Sequence, residues 1–160
     1  MFESSQYEGV TRAQSDLLNY WDAIRGGRAL PHRDDIDPGQ IRAHLASISI
    51  LKLSGENGIQ FRLVGSKVRS SFRDLQQEIS EDPLGIWGAR LVEVAETRTP
   101  LHGISDRNDM RHAWLRLPLD AGRDQHCHIL CYDALLSAQT QLDKSFQSRT
   151  LSDTQASIAA

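Results

Sequence analysis

The densest run of chemically capable side chains in this 160-residue sequence is His126-Cys127-His128-Ile129-Leu130-Cys131. Imidazole and thiolate are preferred zinc ligands, and a His-x-His pair on one face of a strand can chelate an ion. Successive side chains of a strand point to opposite faces, which divides the run. His126 and His128 share one face; Cys127, Ile129 and Cys131 share the other. The segment alone therefore supplies no four-ligand set, and a metal would require a donor from another strand, such as His112. A metal-dependent enzyme or metal-binding protein using His126 and His128 is the alternative reading. The favoured reading has no metal: two core cysteines and two sheet-surface histidines, because an unpaired cysteine behaves as a small buried hydrophobe. A cysteine nucleophile needs a helix N-terminus or an adjacent base to lower its pKa, and an apolar strand face offers neither.

Other chemistry is thin. Gly26-Gly27 and Gly85-Ile86-Trp87-Gly88 lack both the phosphate-loop lysine and dinucleotide-binding spacing, and neither a serine elbow nor a His-Glu-x-x-His pair occurs. No catalytic residue and no cofactor is assigned. Arg25-Gly26-Gly27-Arg28 with His32-Arg33 is the most basic stretch, but Asp34, Asp35 and Asp37 follow at once and can pair with it. A self-paired connector is expected rather than an anion site. Trp21, Trp87 and Trp114 lie on three different predicted elements and are expected to anchor a core.

Composition bounds what these residues can belong to. The chain is 39% hydrophobic, and its 21 acids against 18 bases give a net charge of −3, which offers nucleic acid no electrostatic attraction. No stretch approaches the ~20 apolar residues that span a bilayer. Residues 1–15 lack the apolar centre of a secretory signal. Two cysteines four apart do not form a disulfide framework. A cytoplasmic domain that contacts neither membrane nor nucleic acid is expected.

Several elements must position the candidate residues. Thr11 and Gln14 have capping-box spacing, Leu17, Trp21 and Ile24 follow at helical intervals, and Gly26-Gly27 ends that helix. Asp37-Pro38 predicts a second helix with Ile41, Leu45 and Ile48 as its stripe. Alternation then predicts strands over 47–53 and 59–65, joined by a loop, with a short helix over 67–75. Asp82-Pro83 precedes a helix over 84–98 carrying Leu84, Trp87, Leu91 and Val94. Strands over 101–107, 111–119 and 125–134 complete the pattern. The last 24 residues hold 12 Ser, Thr or Gln, a composition that predicts a mostly disordered tail. The expected organisation is a flexible N-terminus over 1–13, N-terminal helices and connector over 14–46, a core over 47–136 and the tail over 137–160.

Trp21, Arg25-Gly26-Gly27-Arg28, Pro31, Arg33, Asp35-Ile36-Asp37-Pro38 and Phe61-Arg62-Leu63-Val64-Gly65-Ser66 resemble the single-domain bacterial PAS-like family, formerly a domain of unknown function. The resemblance covers roughly residues 17–135, with the specific motifs in the first half. One departure stands out: the family commonly shows Phe-Gly-Arg-Asp-Leu-Thr-Gly after the second strand, whereas Phe72-Arg73-Asp74-Leu75-Gln76-Gln77 lacks both glycines. The resemblance implies an α+β fold, a five-stranded antiparallel sheet in the order 2-1-5-4-3 with helices over one face. The N-terminal helix would lie outside that core.

It also implies a sensory or interaction module. The expectation is a non-catalytic signalling protein that acts by associating with protein partners, with a homodimer among them, and that a small ligand gates. Concave apolar sites suit such ligands, and Phe61, Leu63, Leu91, Leu115, Cys127 and Ile129 are expected to line one under the 84–98 helix. The opposite sheet face is expected to carry Arg62, Trp114, Arg116, His126 and His128. With Trp21 of the N-terminal helix, these form the expected interface, because aromatics and Arg are enriched at such surfaces.

Overall fold

The fold is described from a computed structural model, for residues 11–54, 58–72, 74–75, 77, 79, 85–107, 109–120 and 127–137. His126, Leu84, residues 1–10 of the expected flexible N-terminus, residues 138–160 of the expected tail, and the centres of the loops over 55–57 and 121–126 lie outside them. Helix α1 spans Arg12–Arg25. Its capping box forms as the spacing predicts: Thr11 Oγ1 accepts from the Gln14 N–H at 3.2 Å, and Gln14 Oε1 accepts from the Thr11 N–H at 2.8 Å. Gly26 closes the helix at φ 58°, a left-handed turn that glycine adopts without steric cost.

The second predicted helix is instead a short 3-10 helix over Arg42–Ser47. The Asp37 carboxylate accepts from the Gly39 N–H at 2.9 Å as an N-cap does, but a turn over 38–41 follows it in place of an α-helix. Strand β1 (Ile48–Ser54) and strand β2 (Gly58–Val64) form the expected hairpin, followed by helix α2 (Ser66–Ser71). Helix α3 runs over Ala89–Thr97, five residues inside the predicted start, with Gly88 at its N-cap. Gly85 and Gly88 weaken the first predicted turn. Strands β3 (Leu101–Arg107), β4 (Met110–Leu119) and β5 (Cys127–Ser137) complete an antiparallel sheet in the order β2-β1-β5-β4-β3.

Register decides what each face carries. Trp114 lies opposite Asp133, Arg116 opposite Cys131 and Pro118 opposite Ile129, while Leu115 lies opposite Tyr132 and Leu117 opposite Leu130. Directly opposed residues share a face. The face under α2, Trp87 and α3 therefore carries Leu51, Ile129 and Cys131 together with His112, Trp114 and Arg116. The other face carries Ala113, Leu115, Leu117, Leu119, Leu130 and Tyr132, and α1 covers it with Leu17, Leu18 and Trp21. The N-terminal helix thus docks on the sheet within its own chain. Trp21 Nε1 fastens it, donating to the Pro118 carbonyl at 2.8 Å, and Gln14 Nε2 donates to the Gly103 and Trp114 carbonyls at 3.1 and 2.8 Å.

Candidate functional site

The sheet–helix layer holds a buried charged network. Strand β4 supplies His112 and Arg116, two strand repeats apart on one face, and neighbouring β5 supplies Asp133. Arg116 grips the carboxylate with both ends of its fork, at 2.7 Å to Oδ1 and 3.1 Å to Oδ2, and His112 Nε2 meets Oδ1 at 2.7 Å. The same guanidinium donates to the carbonyls of Leu115, Tyr132 and Ile86 at 2.8, 3.3 and 3.4 Å. Arg116 is 0% exposed, and a charge this deep persists only when paired and hydrogen-bonded. Burial alone would push the Asp133 carboxyl up, but the Arg116 charge and the His112 ring hold it below its ordinary value. Burial likewise works against the Arg116 charge, and Asp133 outweighs it.

Aromatic rings wall this network off. Phe72 and Trp87 lie 4.9 Å apart in an edge-on pair, and the His112 ring sits 4.7 Å from the first and 5.2 Å from the second. Arg116 lies 5.6 Å over Trp87 and 5.9 Å from Trp114, whose indole N–H donates to Ser105 Oγ at 3.1 Å. The triad therefore pins β4 to β5 and both to the turn before α3. A His–Asp pair can serve acid–base chemistry, but here both carboxylate oxygens are engaged by Arg116 and the side chains are shut from water. Nearby thiols add no nucleophile: burial pushes Cys131 up to about 12 against the pull of Arg116, and burial raises Cys127 as well.

The predicted pocket residues divide. Leu91 and Ile129 are buried together between the sheet and α3, with Phe61 and Cys127 packed against the same cluster. Leu115 is on the opposite face, under α1. Leu63 is 50% exposed, because a bulge moves it. Ile50 pairs with Leu63 but Leu51 pairs with Phe61, which leaves Arg62 as the extra residue and turns Phe61 and Leu63 to opposite faces.

The predicted interface residues divide too. Trp21 is buried on β4 by its own helix, and Trp114 and Arg116 are buried under the α3 side of the sheet. His128 is buried opposite Leu119 and Lys52, on the α1 side, whereas His112 is on the other face, so these two histidines cannot share an ion. Among the described residues, no three His, Cys, Asp or Glu side chains gather as metal ligands. Of the expected interface set, Arg62 alone is described as exposed. Arg28 pairs with Asp35 at 2.7 Å as predicted, whereas Arg25 pairs within α1, with Asp22 at 2.6 Å. Asp133 escaped the sequence reading, although a single carboxylate inside the apolar run from Cys127 to Ala134 is a signal of a buried charge seeking a partner.

Among the described residues, no helix is long and apolar enough to cross a membrane. The PAS domain family model matches residues 10–80, which include α1, the connector, the first hairpin and α2. No curated protein matches the chain. PAS domains are generally sensory modules without catalysis of their own. The chain is similar to the PAS domain family over residues 10–80, and its five-stranded antiparallel sheet in the order 2-1-5-4-3, with helices packed on it, gives it an α+β, PAS-like fold.

Proposed function

We propose that this chain is a cytoplasmic, non-catalytic sensory module that signals by associating with protein, a second copy of itself first. The similarity to PAS domains supports the sensory class. The two cysteines, free and four apart on one strand face, span too far to bridge and suit a reducing compartment. The observation that carries the association clause is the outer edge of the sheet at β2. Among the described residues that strand pairs with β1 alone, and it presents the exposed Arg62 and the half-exposed Leu63. Unpaired edges are templates for pairing with another chain, and a two-fold dimer would bring the same patch of both copies together. The outer sheet face cannot serve instead, because α1 already covers it.

Sedimentation velocity over a concentration series tests this reading. A concentration-dependent dimer is expected, and Leu63→Asp should abolish it while leaving the circular dichroism spectrum unchanged, since the side chain lies half in water. A chain that stays monomeric throughout, or a dimer indifferent to Leu63→Asp, defeats the β2-edge assignment.

A further inference from the structure

A cleft beside β5 offers a place for a small molecule. Strand lengths create it. Ile48, the first residue of β1, pairs with Tyr132, but β5 runs on to Ser137 with β4 alone beside it. Where β1 would have continued, the 3-10 turn Arg42–Ser47 and helix α2 stand off from β5 and leave a cleft of about 280 Å³. This lies near the low end of small-molecule sites, which begin at roughly 300 Å³.

The lining has two characters. His44, Ser47, Lys67 and Ser71 supply polar groups, and Tyr132 and Leu135 supply apolar ones. Lys67 is exposed and enters no ion pair with a described residue. Asp133 also borders the cleft, but its carboxylate is fully buried and taken up by Arg116 and His112, so it brings no negative charge to the opening. Asp16, outside the lining, has its carboxylate on His44 at 3.4 Å. An ammonium, two hydroxyls and an imidazole beside the β5 edge are rich in donors and poor in charged acceptors.

We propose that this cleft binds a small anion carried on an apolar body: a carboxylate or phosphate ester attached to one aromatic ring or a short acyl chain. Lys67 fixes the anion, the hydroxyls of Ser47 and Ser71 orient it, and Tyr132 and Leu135, which face opposite sides of the sheet, flank the body along the free edge of β5. The site adjoins both α2 and the β5 residue that holds Arg116, so occupancy meets the network that ties the sheet to α3. The proposal deepens the sensory reading and rests on it for its signalling consequence, whereas binding itself is measured apart from association.

The test is a titration of the isotopically labelled full chain with benzoate, phenyl phosphate and the neutral analogue benzamide, followed by amide resonances at constant ionic strength. At least one anion should shift Ser47, Lys67, Ser71 and Leu135 saturably, with benzamide about tenfold weaker or more. Lys67→Ala should weaken the anion by about tenfold and leave benzamide unchanged, the scale of one charge-assisted hydrogen bond. Whichever anion binds more tightly names the source, carboxylate or phosphate. The absence of saturable shifts with both anions, equal binding of benzamide, or indifference to Lys67→Ala overturns the proposal. A failed dimer in sedimentation touches none of these readings.

Discussion

Asp133→Ala would leave the Arg116 guanidinium buried without its counter-ion. Arg116 is 0% exposed, and after the substitution it keeps only neutral partners, the carbonyls of Leu115, Tyr132 and Ile86 and the Trp87 and Trp114 rings. His112 would lose its carboxylate as well. Removing one member of a buried ion pair costs about 3–5 kcal/mol, because the other charge can neither reach water nor readily lose its proton. Against a total stability of about 5–15 kcal/mol for a single domain, that is a large fraction. For a chain of this length each kcal/mol moves the melting temperature by roughly 2–4 °C, so a fall of roughly 6–20 °C is expected. Urea unfolding followed by circular dichroism measures it, with the denaturant slope unchanged if the folded state keeps its shape.

The companion variant Arg116→Met/Asp133→Ala removes the stranded charge and should recover about 2 kcal/mol or more relative to Asp133→Ala alone. The two single variants and the double variant form a cycle that isolates the coupling. A loss below about 1 kcal/mol in Asp133→Ala, or simple additivity in the cycle, would refute the assignment of the pair as a stabilising unit. Should Asp133→Ala fail to fold, the double variant decides, since it carries no buried charge at these positions and must fold.

Acid should expose the same interaction. The Asp133 carboxyl titrates below its ordinary value of about 3.9 in the folded chain, so in that window the unfolded chain binds more protons. The contribution of the pair is complete above about 3.9 and is lost as pH falls through the depressed folded value. Urea midpoints of the natural chain should therefore fall more steeply in that acid range than those of the double variant; parallel curves would contradict the shift. Gln14→Leu should cost about 2 kcal/mol or more in the same assay, since it removes the side-chain half of the capping box and the two bonds to the Gly103 and Trp114 carbonyls. Gly65→Ala should be more damaging than Gly103→Ala. The new Cβ would sit 2.4 Å from the Ala46 backbone carbonyl in the first case and 2.6 Å from the Trp114 side chain in the second, and either overpacking should cost about 1 kcal/mol or more. Alkylation of the native chain should modify the half-buried Cys127 first and reach Cys131, whose thiol is pushed up to about 12, only on unfolding; equal labelling rates by mass spectrometry would contradict its burial.

What the sequence by itself determined is local. The capping pair Thr11 and Gln14 with Gly26 bounded α1, because a cap needs residues only three apart and a left-handed stop needs only a glycine. The turn residues and alternation marked five strands and the long helix for the same reason, and within β4 the alternation separated Ala113, Leu115, Leu117 and Leu119 from His112, Trp114 and Arg116. The family motifs in the first half of the chain supplied the strand order.

Tertiary structure decided which strand faces are combined. The sequence reading put Leu115 with Ile129 and Cys127, whereas the β4–β5 register sets Leu115 opposite Tyr132 and brings Arg116 to Cys131. A one-residue change of register exchanges the two faces of a strand, and the loop that sets it leaves no mark in either strand's alternation. The bulge at Arg62 separated Phe61 from Leu63 for the same reason. Both sheet faces are covered, one by α1 and one by α2 and α3, so no polar face identifies the outside. Arg116, expected at an interface, and His112, named only as a possible metal donor, therefore lie in the core. They are stable there because Asp133, on the neighbouring strand, neutralises and hydrogen-bonds them, a partnership between residues 17 and 21 positions apart that no local pattern encodes.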